Sequence, residues 1–99
     1  MDLKAADVFA LGVTLFTMVL GTPAFVEASE DCPYYTLIMQ GRWEQYWSSH
    51  PKAAKANEMP DFKDMIQKML SYSYLERPTA SDLENHFWIR KTVNSDKAR

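Results

Sequence analysis

From Val8 to Leu20 there is no charged side chain. A helix over this stretch is apolar on every side, the pattern of a segment buried inside a protein or a membrane. Spanning is disfavoured by length, because a bilayer needs about 18 or more apolar residues and Gly21 and Pro23 close this run early. A secretory leader is disfavoured by charge: Lys4 and Ala24 superficially fit one, but Asp2 and Asp7 are acidic where a leader is basic, and no disulfide framework follows. The expected element is a buried central helix near 3–20. Gly21 suits the left-handed position past its C-terminus, and Pro23 cannot continue it.

Three further helices are expected, near 33–40, 61–72 and 79–87. For the first, Asp31 is available as a cap, Pro33 is tolerated in the first turn and Gly41 closes the helix after Gln40. Tyr34, Leu37 and Ile38 share one face, while Tyr35 points elsewhere, toward solvent. The stretch from Asp61 is the cleanest amphipathic pattern. Phe62, Met65, Ile66, Met69 and Leu70 recur at i, i+3, i+4, i+7 and i+8, with Lys63, Asp64, Gln67 and Lys68 on the wet face. Its methionine-rich stripe reads as core, so Phe16 and Met69 are expected to be buried between this helix and the central one. Thr79 can cap the last helix, with Asp82 at the third position of a weak capping box and Leu83 and Phe87 facing inward. Lys52 to Asn57 has good helix formers but no apolar stripe, the pattern of a surface turn of helix or a solvated linker. The fold class is therefore all-α, about four main helices around the central one, in one domain over 1–90 with a polar tail at 91–99.

Composition narrows the function. The 99 residues are 46% hydrophobic and 24% charged, ordinary globular usage. The net charge of −2, with acids and bases interspersed, offers no basic field for nucleic acid. Cys32 is the single cysteine, which excludes an internal disulfide and a cysteine zinc cluster and points to a reducing cytoplasm. Ser48-Ser49-His50-Pro51 places Ser beside His, but a catalytic pair needs an oriented third group and an oxyanion hole, so a loop is expected. Trp43, Tyr46 and Trp47 put three rings within five residues. Such a cluster is core before it is a docking surface, since exposed Trp is rare without a partner.

Several stretches, in order, carry a family likeness. Lys4-Ala5-Ala6-Asp7-Val8-Phe9-Ala10-Leu11-Gly12-Val13, Tyr34-Tyr35-Thr36-Leu37-Ile38-Met39, Phe62-Lys63-Asp64-Met65-Ile66, Leu75-Glu76-Arg77-Pro78-Thr79-Ala80 and His86-Phe87-Trp88 resemble the C-terminal part of the large helical lobe of eukaryotic serine/threonine protein kinases. The resemblance covers roughly residues 4 to 90. It implies that Asp7 matches the Asp that holds the catalytic-loop backbone and Gly12 the family's helical Gly. It implies that Arg77 matches the Arg that is ion-paired with the Glu of Ala-Pro-Glu, and that the segment around Tyr35 and Trp43 lies on the outside of the lobe, where protein partners dock. His86 is read as structural.

The resemblance implies a parent that transfers phosphate from ATP to protein hydroxyls, with ATP and magnesium as cofactors of the full-length enzyme. The Gly-rich loop, the phosphate-pairing Lys, the His-Arg-Asp loop, the Asp-Phe-Gly metal site and the Ala-Pro-Glu motif precede this region in the family and are absent from this sequence. No catalytic, cofactor or metal residue is therefore assigned, and whether the chain is an enzyme is left open. Inactivity of the isolated chain is expected, and its partners are the missing kinase segments or other proteins. The alternative is a small helical interaction module using Tyr35 and Trp43. Asp7 and Arg77, shaped for absent partners, are expected to be exposed, with a loosened loop around Arg77 and little stability lost on Arg77→Met.

Overall fold

The computed structural model describes residues 4–86. Within them lie α1 (Ala5–Leu20), α2 (Pro33–Met39), α3 (Trp43–Ser49), α4 (Ala53–Asn57), α5 (Pro60–Met69), a 3-10 turn (Tyr74–Glu76) and α6 (Ala80–Glu84). No strand occurs among the described residues. The inward-facing position expected for Phe87, the last two residues of the His86-Phe87-Trp88 stretch and the polar tail at 91–99 lie outside them. No helix of the described residues is long and apolar enough to cross a membrane.

The all-α architecture is the one the sequence implies, but α1 is not buried all round. Only Val8, Gly12, Phe16 and Leu20, spaced four apart, are buried, while Leu11 is 39% and Met18 74% exposed. The four-residue spacing forms one stripe on a helix, and that stripe meets α5. Gly12 explains the choice of face. A Cβ there would lie 3.0 Å from Met69 Cβ and 3.1 Å from Leu70 Cδ2, so only glycine lets the two helices approach this closely. Past Leu20 the chain turns at Gly21 with φ of 79°, and its N–H donates to Thr17 O at 2.9 Å.

α5 buries Phe62, Met65, Ile66 and Met69, followed by Leu70, the stripe expected. It ends at Met69, three residues earlier than expected, and beyond it the carbonyls of Ser71 and Tyr72 accept from Arg77. α6 has its capping box at Thr79 and Asp82: Asp82 N–H donates to Thr79 Oγ1 at 3.1 Å, and Thr79 N–H donates to Asp82 Oδ2 at 2.9 Å. The cap of α2 is not Asp31 but Cys32, at φ −89° and ψ 116°. Pro33 occupies the first helical position and pushes the residue before it into extended backbone, which moves the cap one residue on.

Two short helices complete the core where an aromatic cluster and a surface turn of helix or solvated linker were expected. α3 brings Tyr46 and Trp47 inside, and Trp47 stacks on Phe16 with centroids 5.8 Å apart. Tyr46 Oη donates to Ala24 O at 2.7 Å; burial of the phenol, with Tyr34 and Cys32 nearby, pushes its pKa well above the ordinary tyrosine value. Of the two alternatives for Lys52 to Asn57, the short surface helix holds and the solvated linker does not: α4 buries Ala56 alone, which is fully buried, and it lies against α5. His50, expected in a loop, is only 5% exposed. Its Nδ1 accepts from Lys52 N–H at 3.1 Å, so Nε2 carries the proton and donates to Pro23 O at 3.1 Å.

Substituting Gly12 tests the α1–α5 contact directly. Met69 Cβ is fixed to its own backbone, so a larger side chain at position 12 displaces α5 rather than a flexible tip. Gly12→Val is expected to destabilise by roughly 1–3 kcal/mol, the usual cost of overpacking, despite the relief of a mid-helix glycine. Urea unfolding checks it; a stabilised variant would mean the helices stand further apart.

Candidate functional site

Of the residues matched to kinase positions, Asp7 and Arg77 both come to the N-terminal end of α1, while Gly12 lies at mid-helix against α5. Asp7 is the third residue of the helix, exposed, and its Oδ2 accepts from Lys4 N–H at 3.1 Å. That is one half of a capping arrangement. Lysine has no acceptor to complete the other. Asp7 thus serves here as a first-turn acid that complements the helix's positive end.

Arg77 is not stranded, contrary to expectation. It is half-buried, and its Nη1 reaches across the molecule to donate to Ala5 O at 2.9 Å, two residues from Asp7. Its Nε donates to Ser71 O at 2.8 Å and its Nη2 to Tyr72 O at 3.4 Å, while the guanidinium lies 4.8 Å from the centroid of the Phe9 ring. A planar, always-charged fork with five donors can serve several carbonyls and an aromatic face at once. The loop around Arg77 is therefore pinned to the start of α1 rather than loosened. The chain has supplied carbonyls where a carboxylate was expected.

The two residues read as docking positions sit in separate aromatic groups, each half-buried. Tyr35 meets Phe25 edge to face at 5.2 Å, and Phe25 is 6.1 Å from Phe9, so an aromatic row runs from Arg77 to Tyr35. Trp43 flanks the core, 5.2 Å from Tyr46 and 6.4 Å from Trp47. Trp47 is held further by Nε1 donating to Gln67 Oε1 at 2.8 Å and by Lys63 Nζ, 5.2 Å from its ring centroid. Sequence reasoning missed Phe9 and Phe25, because a row built from three separate segments leaves no local period.

Two clefts flank this region. One of about 400 Å³ is lined in part by Met65, Leu75, Arg77, Pro78 and Leu83. At its edge His86 Nε2 and Lys68 Nζ each lie 3.0 Å from Asp64 Oδ2, which fits the structural reading of His86. The other, of about 280 Å³, opens below Trp43. Among the described residues no group of His, Cys, Asp and Glu is placed to hold a metal ion.

The carboxylates at this end set an acid sensitivity. Slight burial raises the Asp64 carboxyl, but hydrogen bonds from His86 and Lys68 outweigh it and hold it below the ordinary 3.8. Asp82 is held low by the backbone N–H and the hydroxyl of Thr79. A carboxyl whose folded pKa is depressed contributes stability that is complete above its unfolded pKa and lost as pH falls through the folded one. The urea midpoint is therefore expected to fall between about pH 5 and pH 3. The double variant Asp64→Asn, Asp82→Asn should flatten that fall, and an unchanged pH profile would remove both carboxylates from the account.

Comparison with known proteins places this arrangement. Residues 2–89 match the protein kinase domain. Calcium-dependent protein kinase 25 of Oryza sativa subsp. japonica is 33% identical over 86 residues, covering 87% of this chain and 15% of that protein. SNF-related serine/threonine-protein kinase of Homo sapiens is 32% identical over 89 residues, covering 90% of this chain and 10% of that protein. Calcium-dependent protein kinase 17 of Arabidopsis thaliana is 33% identical over 86 residues. The chain thus spans 10–15% of the length of these relatives. Its helical architecture, with α1 packed through Gly12 on α5 and Arg77 reaching back to the start of α1, is accordingly that of a kinase lobe: the chain belongs to the protein kinase family.

Proposed function

We propose that this chain is the helical scaffold of the large lobe of a serine/threonine kinase. The surrounding domain performs ATP-dependent phosphoryl transfer to protein hydroxyls, and these helices hold its catalytic segments in place without binding nucleotide themselves. The observation that carries this reading is the outer face of α1. Leu11 and Met18 stand 39% and 74% exposed on a helix without a charge from Val8 to Leu20, and Asp7 presents a carboxylate at the same helix's start. An apolar helix face left open is a surface for further protein, and the carboxylate has acceptor capacity beyond its one bond to Lys4.

The reading requires that this face be unoccupied by the chain itself. Met18→Lys is then expected to change stability by no more than about 0.5 kcal/mol in urea unfolding, as for other exposed positions. A large loss would mean that Met18 is already packed, and the surface on which the scaffold role depends would be gone. A second reading, a protein-interaction module, is favoured by one feature: Trp43 stands half-exposed at the lip of a cleft.

A further inference from the structure

We propose that the cleft beneath Trp43 receives a single arginine or lysine side chain from a protein partner. The proposal rests on the interaction-module reading of Trp43 and adds the chemistry of what docks. The cleft lies between the end of α2, at Met39 to Gly41, and the chain leaving α5, at Ser71 to Ser73. Trp43 and Tyr72 furnish aromatic walls, and Tyr72 is 54% exposed. Glu76 is the one charged residue lining it, and it makes no ion pair among the described residues.

Two features give the cleft a preference for positive charge. The Glu76 carboxylate supplies a formal negative charge. Aromatic faces attract cations, guanidinium above all. Arg77, next in sequence to Glu76, is not paired with it: the guanidinium is directed away, to the carbonyls of Ala5, Ser71 and Tyr72 and the face of Phe9. The volume, about 280 Å³, has room for one long side chain.

The test is an NMR titration of the 15N-labelled 99-residue chain with a peptide of alternating Arg and Gly, beside a control of alternating Glu and Gly. The Arg peptide is expected to shift the Trp43 indole and the amides of Tyr72 and Glu76, and the control to leave them in place. Glu76→Gln, an exposed change, is expected to weaken binding roughly tenfold, the loss of about one charge-assisted hydrogen bond. Tyr72→Ser should weaken it as well. Equal shifts from the Glu peptide, or an unchanged affinity in Glu76→Gln, would overturn the proposal. Shifts confined to Phe25 and Tyr35 would overturn the cleft while leaving the docking reading standing.

Discussion

Phe16→Ala should abolish cooperative unfolding. Phe16 is fully buried, stacked on Trp47 at 5.8 Å, with His50 edge-on at 5.1 Å and Tyr46 at 6.4 Å. It is the point where α1 and α3 meet, and His50 carries that contact onward to the α1–α2 connection through Pro23. Truncating a buried phenylalanine typically costs about 3–5 kcal/mol. A small domain has roughly 5–15 kcal/mol in all, and one of this size sits at the low end because it buries a smaller share of its surface. Thermal melting followed by circular dichroism should show a broad, non-sigmoidal loss of helix in the variant. A sharp transition close to that of the parent would mean that the aromatic cluster is not the centre of the core.

Arg77→Met should cost about 2 kcal/mol or more, the scale of charge-assisted hydrogen bonds lost together with the carbonyls left unpaired. Methionine keeps much of the volume and removes the fork, so the carbonyls of Ala5, Ser71 and Tyr72 lose their donor and Phe9 loses its cation. Arg77→Lys should recover only part of this, since an ammonium is a point donor and cannot reach three carbonyls with one planar group. Urea unfolding of the three proteins ranks them parent, Lys, Met. If Arg77→Met were as stable as the parent, the guanidinium would be idle in this chain and the loop free of α1.

The parts legible in the sequence were those whose cause is local. The α5 stripe follows from spacing, the Thr79 cap from a side chain reaching its own third residue, and the end of α1 from one glycine. The face of α1 was not legible, because no charged residue from Val8 to Leu20 marks the outside, and the exposed Thr14 and Thr17 return their hydroxyls to the helix's own carbonyls. What selects it is the close approach at Gly12, a property of α5 as much as of α1. The burial of His50 was hidden for a related reason. Its two hydrogen bonds go to backbone, one of them 27 residues away, and a backbone partner leaves no residue type to read. Arg77 shows the same limit from the other side. The family resemblance implied a carboxylate partner, whereas the structure meets the guanidinium with carbonyls that any sequence could provide.

The central claim is that these helices are the scaffold of a kinase lobe and hold no nucleotide site of their own. Calorimetric titration of the 99-residue chain with ATP in the presence of magnesium tests it most directly. Phosphoryl transfer depends on groups that cradle the phosphates and hold the metal, and the account predicts no saturable heat up to millimolar nucleotide. Saturable binding in the micromolar range would contradict it, by showing that a triphosphate site is built among these helices.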